Sequence, residues 1–129
     1  MATKGDTGLG RLPIRISKLL GRAFKSEDNN QLGVIRDLVT GPDGQIGYVL
    51  VAYGGTLGMG EKIAPVPWHA VRIHHSGGDY FISVNISKEN FERAPYLSDK
   101  EWSNYAATDW EGNIQNYYES ALKPGEFTG

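Results

Sequence analysis

The segment 46–53 constrains the fold most, because its sequence Ile-Gly-Tyr-Val-Leu-Val-Ala-Tyr contains no charged or amide side chain. Successive side chains of a strand leave opposite faces of the sheet, so an antiparallel strand with one wet face alternates apolar and polar residues. This segment does not alternate, which predicts a strand covered on both faces. The second cover can come from the C-terminal helices, from a second copy of the chain or from another protein.

Turn residues divide the rest of the region 14–86 into short strands, predicted at 22–25, 32–40, 62–67, 71–75 and 80–86. The sequence Gly41-Pro42-Asp43-Gly44 predicts a hairpin turn, because proline presets φ and glycine accepts positive φ. Ser17 is expected to cap one helical turn that Gly21 ends. Short strands joined by hairpins indicate a mainly β fold, a small antiparallel β-barrel or sandwich.

Helix signals follow the strands. Ser87 can cap a helix over residues 88–93, and Ser98–Glu101 and Thr108–Glu111 both have the capping-box pattern. Six of the 14 aromatic residues lie in this part of the chain: Tyr96, Trp102, Tyr105, Trp110, Tyr117 and Tyr118. We expect these rings to pack back on the β unit; the alternative is an exposed, adhesive surface.

The charge divides the chain more sharply than its net value of −2 indicates. Residues 1–25 hold six basic and one acidic residue, whereas residues 86–129 hold four basic and eight acidic ones. We predict a flexible basic leader over 1–13, a β-barrel over 14–86, an aromatic-rich helical cap over 87–122 and a tail over 123–129. The leader is either a solvated segment or a contact for phosphates, anionic lipid or an acidic partner. Nucleic acid is the less expected partner, because its binders usually carry a broader basic surface.

Composition and spacing give little support for catalysis. The chain has no cysteine, so thiol chemistry and disulfides are excluded. His74 and His75 are adjacent in a predicted strand and point to opposite faces, which disfavours one metal shared by both. One of them could join His69 and a carboxylate, but nothing in the spacing requires it. The absence of a signal sequence and of a spanning apolar stretch predicts a cytoplasmic protein. We therefore predict no catalytic, metal-binding or cofactor-binding residue.

Three further features have structural interpretations. The glycine loop (Gly54, Gly55, Gly58 and Gly60) lacks a phosphate-loop ending and precedes a strand, which favours a plain connection. Arg36 and Asp37 lie in a mostly apolar strand, so one of the two is expected to point inward. Trp68 follows two prolines and is predicted to close one end of the barrel, or else to face a partner.

The chain resembles the PRC-barrel domain family. The resemblance lies in Ile16-Ser-Lys-Leu-Leu-Gly21, in residues 32–39 and, most specifically, in the glycine loop and strand that end at Val66-Pro67-Trp68. Ala94-Pro95, Trp102 and Tyr117-Tyr118 resemble the ending of stand-alone bacterial members. The family is similar to the cytoplasmic domain of the photosynthetic reaction-centre H subunit and to the C-terminal domain of a ribosome maturation factor.

The resemblance implies a non-enzymatic protein-binding or assembly module with an unidentified protein partner. The doubly apolar strand favours a homodimer. Two alternatives remain, docking on a membrane photosynthetic complex with the basic leader against lipid, and a ribosome- or RNA-associated assembly factor. The residues predicted at a partner interface are Tyr48, Val49, Val51, Tyr53, Trp68, Trp102, Trp110, Tyr117 and Tyr118.

Overall fold

The computed structural model describes residues 13–55, 60–102, 104 and 110–122. The predictions for the leader before Pro13, for Gly58, for the capping box that starts at Thr108, for Tyr105 and for the tail 123–129 lie outside these residues.

Seven strands and three short helices make up the described fold. The strands are β1 (Ala23–Ser26), β2 (Gln31–Thr40), β3 (Ile46–Tyr53), β4 (Lys62–Pro67), β5 (Val71–Ser76), β6 (Asp79–Val84) and β7 (Leu97–Ser98). The helices are α1 (Lys88–Arg93), α2 (Asp99–Trp102) and α3 (Trp110–Ala121), with 3-10 turns at Ile16–Lys18 and Trp68–Ala70. The six strands predicted from turn signals are confirmed within one or two residues. The two-residue strand β7 was not predicted, because so short a segment has no pattern of its own.

The strands form one sheet in the order β5-β6-β1-β2-β3-β4-β7, which confirms the mainly β class. The sheet differs from an all-antiparallel closed barrel in two respects. β1 and β6 pair in parallel, and within the described ranges β5 and β7 are the two ends of an open sheet. Both differences arise after β4. The turn Trp68–Ala70 leads into β5, which pairs with β6 at the edge of the sheet and does not form a hairpin with β4.

β3 lies in the middle of the sheet and is buried on both faces, as its sequence predicts. Val49 and Val51 belong to the main core together with side chains of β1, β2, β4 and β6. Leu50 and Ala52, on the other face, form a second cluster with Ile63. The chain itself provides cover on that second face, because Trp102 of α2 packs against this cluster.

The C-terminal helices add to the same core. Trp110, Ile114 and Tyr118 are the buried residues of α3 and recur every four positions, so they share one helix face. Phe91 of α1 is fully buried, and its ring lies 4.9 Å from that of Tyr53, centroid to centroid. These contacts place α1 and α3 against the main core.

Local capping signals were accurate for two helices. The backbone N–H of Asn90 donates to the Ser87 hydroxyl. Ser98 and Glu101 bond each other's backbone N–H groups with their side chains, at 3.2 and 2.9 Å, which confirms the capping box. The cap predicted for Ser17 is wrong: Ser17 lies inside the 3-10 turn, whose N-terminal flank has no side-chain cap.

The prediction that Arg36 or Asp37 points inward is also wrong, because both side chains are exposed. The register of β2 against β3 shifts between Ile35 and Asp37, so Arg36 is an extra, bulged residue. A bulge interrupts the alternation of faces, which lets two successive side chains reach solvent. Arg36 pairs with Glu61, and the Asp37 carboxylate accepts the N–H of Leu38.

Candidate functional site

The nine predicted interface residues separate by burial. Five of them are buried in the chain's own core: Tyr48, Val49, Val51, Trp110 and Tyr118. The other four are half-buried and pack against that core: Tyr53, Trp68, Trp102 and Tyr117. In this arrangement the first five offer almost no surface, so a partner would have to contact the half-buried residues and their neighbours.

Three tyrosines of the predicted interface have hydroxyls that are buried or hydrogen-bonded within the chain itself. The hydroxyl of Tyr117 donates to the backbone carbonyl of Asn90. The buried hydroxyls of Tyr53 and Tyr118 have no hydrogen-bond partner within the part of the chain that the structure describes. Burial raises the pKa of Tyr53 to about 12 and raises the pKa of Tyr118 as well. All three hydroxyls therefore stay protonated near neutral pH.

Trp102 stands at the end of α2, whose start is fixed by the capping box. Its indole N–H donates to the backbone carbonyl of Ile63 in β4, with 3.4 Å between the heavy atoms. Its ring meets the ring of Trp110 edge-on, with centroids 5.2 Å apart. The short helix thus holds one tryptophan beside the outer face of β4.

A groove of about 520 Å³ lies beside Trp102 and extends to the β-bulge of β2. Its lining consists of Arg36, Asp37, Leu38, Val39, Thr40, Leu50, Ile63 and Trp102. The floor is apolar, Trp102 contributes an apolar wall, and the bulge contributes polar and charged side chains of both signs. An apolar centre with a polar rim is the usual anatomy of a protein interface. We call this feature the Trp102 groove.

A smaller groove of about 260 Å³ lies next to Trp110 and is lined by residues of β4, β7, α2 and α3 together with Pro95 and Tyr96. Tyr96 is 45% exposed, and it is one of four large hydrophobic side chains exposed in the described ranges. The ammonium of Lys62 lies 4.9 Å from the centroid of its ring. Tyr96 was not among the predicted interface residues, although it belongs to the same group of C-terminal aromatic residues.

The three histidines have different surroundings. His74 stacks on Phe81 at 4.5 Å between centroids, and its Nε2 lies 2.8 Å from the hydroxyl oxygen of Ser83. His75 stacks on Tyr80 instead, on the other face of the hairpin. Burial lowers the pKa of His74 and that of His69. Within the described residues no three side chains of the metal-ligating types come together.

The glycine loop has the geometry of a tight connection at its described positions. Gly54, Gly55 and Gly60 have φ values of 69°, 75° and 73°, a region that side chains rarely tolerate. The loop leads into β4 rather than into a helix, which is not the arrangement of a phosphate-binding loop.

A sequence model of the PRC-barrel domain family matches residues 13–90 of this chain. The match covers more than half of the chain, and the chain belongs to the PRC-barrel domain family. This is a family of general protein-interaction and assembly modules, which are generally non-catalytic. No curated protein sequence matches the chain.

The family match ends at residue 90, so α2, α3 and Trp102 lie beyond it. The Trp102 groove therefore joins a wall from this C-terminal part to a floor from the matched part. Across the described residues, none of the helices combines the length and the apolar character that crossing a bilayer requires.

Proposed function

We propose that this protein is a non-catalytic docking module and that the Trp102 groove is its docking surface. The observation that carries the proposal is the composition of the groove, an apolar floor and tryptophan wall beside a charged rim. Tryptophan is enriched at the energetic centres of protein interfaces, and a rim of polar residues excludes water around them.

We propose further that the first occupant of the groove is a second copy of the chain. A twofold interface brings the same patch of both copies together, so the patch must be complementary to itself. The rim meets this requirement because Arg36 and Asp37 are adjacent, exposed and of opposite charge. Across a twofold axis each of them can face its opposite. The doubly apolar β3 no longer supports dimerisation, since its own chain covers both faces.

Light scattering coupled to gel filtration tests the dimer. We expect the wild-type chain to be dimeric at micromolar concentration, and Val39→Asp, which places a charge among the groove-lining residues, to be monomeric. Val34→Asp is the matched control, because Val34 is exposed on the same strand but does not line the groove. This control should remain dimeric.

A second variant protects the test against a folding defect in Val39→Asp. Asp37→Arg changes an exposed rim residue and gives both copies like charges, so it should weaken the dimer while the circular dichroism spectrum stays unchanged. A wild-type chain that is monomeric throughout this range, or variants that all remain dimeric, would overturn the choice of occupant.

Docking on a membrane photosynthetic complex is the second candidate. It is favoured by the charge of residues 13–25, which contain four basic residues and no acidic one. Affinity capture from solubilised membranes of the native host, with a Trp102→Ala variant as control, tests it. The ribosome- or RNA-associated alternative predicts steeply salt-dependent RNA binding, and a titration that detects no binding at low salt would remove it.

A further inference from the structure

The segment 13–22, here called the basic turn, carries exposed aliphatic and basic side chains together. Its sequence is Pro-Ile-Arg-Ile-Ser-Lys-Leu-Leu-Gly-Arg. Ile16 is 46% exposed and Leu20 is 40% exposed, so the segment supplies two of the four large exposed hydrophobic side chains in the described part of the molecule. Neither residue belongs to the Trp102 groove.

The sheet holds the basic turn in place. Leu19 is only 2% exposed and packs into the main core. Gly21 N–H donates to the carbonyl of Ile35 at 2.7 Å, and Ile35 N–H donates to the carbonyl of Arg22 at 2.8 Å. Because Leu19 takes the inward position, Ile16 and Leu20 stay on the solvent side. The 3.3 Å bond from Leu20 N–H to the Ile16 carbonyl keeps these two residues one turn apart.

Positive charge surrounds these two aliphatic side chains. Arg15, Lys18 and Arg22 are exposed, and no acidic residue occurs between positions 13 and 25. Arg22 also reaches Asp79 of β6 at 3.3 Å. The preceding residues 1–12 add two basic residues and one acidic residue. The basic turn therefore presents an apolar centre inside a cationic field.

We propose that the basic turn docks on an anionic lipid bilayer surface, with Ile16 and Leu20 entering the interface between headgroups and acyl chains. Peripheral anchors combine apolar side chains with basic ones in this way, and the basic side chains contact anionic headgroups. A single-stranded nucleic acid would favour aromatic side chains for stacking, and residues 13–22 contain none. The charge complementarity and the aliphatic character together favour lipid over nucleic acid.

Sedimentation with vesicles tests this docking. Full-length protein is mixed with vesicles of phosphatidylserine and phosphatidylcholine in about equal parts, or of phosphatidylcholine alone. We expect binding to the anionic vesicles only, and weaker binding as salt screens the charges. Arg15→Gln with Lys18→Gln should lower the partition coefficient about 25-fold, since each basic residue near such a surface contributes about fivefold.

Matched variants separate the basic turn from general electrostatics. Lys88→Gln with Arg93→Gln removes the same charge from exposed positions of α1 and should change binding less than about twofold. β1 and β6 run in parallel, so α1, which follows β6, lies at the opposite end of this strand pair from the basic turn, which precedes β1. Ile16→Gln with Leu20→Gln should lower binding about tenfold without changing the charge. Val34→Gln is the control for loss of an exposed aliphatic side chain and should bind like the wild type.

Several outcomes would overturn the proposal. They are failure of the wild type to sediment with anionic vesicles at low salt, an equal loss in the Lys88/Arg93 variant, and full binding by the Ile16/Leu20 variant. Binding to polyglutamate or to RNA without binding to vesicles would reassign the surface to an acidic protein or a nucleic acid. Val39→Asp should bind vesicles normally, so this test and the dimer test can fail separately.

Discussion

The two halves of the sheet are built from similar short strands, yet they differ in what lies on their outer face. In β3 and β4 six residue pairs run from Tyr48 with Pro67 to Tyr53 with Lys62, and ten of these twelve residues are buried. In β5 no residue is buried and in β6 only Ile82 and Val84 are, and the outer positions Arg72, His74 and Phe81 remain partly or fully exposed. The difference comes from the C-terminal tryptophans, which cover one half only.

This comparison explains how a single sheet can supply both a core and the proposed docking surface. Trp102 and Trp110 extend the apolar interior around the outer side of β3 and β4. The Trp102 groove lies where that cover ends. In the other half, formed by β5 and β6 and called the open half, side chains of the outer face stack on each other in pairs. His74 stacks on Phe81, and the ammonium of Lys25 lies 4.4 Å from the centroid of the Phe81 ring.

Removal of the tryptophan cover should have the largest effect on stability. Trp110→Ala deletes a ring that is 8% exposed and meets Tyr48 edge-on at 4.8 Å, so we expect unfolding to become easier by about 3–5 kcal/mol. Phe81→Ala, on the open half, should cost only about 1 kcal/mol. Urea denaturation of both variants measures the difference. Equal losses would show that the two halves depend equally on their outer faces.

A glycine of β2 that packs closely against β3, a strand of the covered half, should be nearly as sensitive. A Cβ at Gly33 would collide with the backbone carbonyl of Ala52 and lie 2.9 Å from Cγ1 of Val51. We expect Gly33→Ala to cost about 2–3 kcal/mol, because backbone cannot move aside as a flexible side chain does. At Gly47 the nearest atom would be 3.8 Å away, so Gly47→Ala is the control and should change stability by less than about 1 kcal/mol. Thermal unfolding of both variants measures the difference in stability loss between the two sites.

Two neighbouring tyrosines of α3 should respond oppositely to loss of the hydroxyl. Tyr118→Phe removes a buried hydroxyl that has no partner in the described residues and should stabilise the protein by about 1 kcal/mol. Tyr117→Phe removes the bond to the Asn90 carbonyl and should destabilise by about 1 kcal/mol. Denaturant midpoints of the two variants that shift in the same direction would contradict this account of the helix.

Alkaline pH should lower the free energy of unfolding by a smaller amount, through Tyr53 of the covered half. Burial raises the pKa of Tyr53 from 10.0 to about 12, so the unfolded chain releases this proton at a lower pH than the folded chain. The stabilisation is present below the unfolded pKa and is lost as the pH rises from 10.0 to about 12. Tyr53→Phe should therefore lose less stability over this range than the wild type does. Denaturation at a series of pH values measures it, and parallel curves for the two proteins would refute it.

Local features of the fold could be predicted from the sequence because each depends on a few neighbouring residues. The Gly41–Gly44 hairpin, the cap at Ser87 and the Ser98–Glu101 capping box all follow from rules that act over four residues. The mainly β class follows from the spacing of such turns. The exposure of Arg36 and Asp37 could not be predicted in this way, because the bulge exists only in the register with β3.

Less of the candidate site could be predicted from the sequence. An aromatic residue at a helical position has the same local pattern whether it packs on its own sheet or on a partner, so the sequence could not show that Trp110 and Tyr118 are buried in their own chain. The assignment of these residues and of Trp102 to an interface remains a prediction. The exposure of Tyr96 could not be predicted from its local sequence either.

The sequence by itself determined that β3 would be covered on both faces, that short strands would dominate and that the N-terminal part would be basic. These properties depend on composition and on the two-residue period of a strand. Only the tertiary structure decided that the cover comes from the same chain, that β1 and β6 run in parallel and that Ile16 and Leu20 stay outside. Each of these facts depends on contacts between residues far apart in the chain, for which a local pattern carries no information.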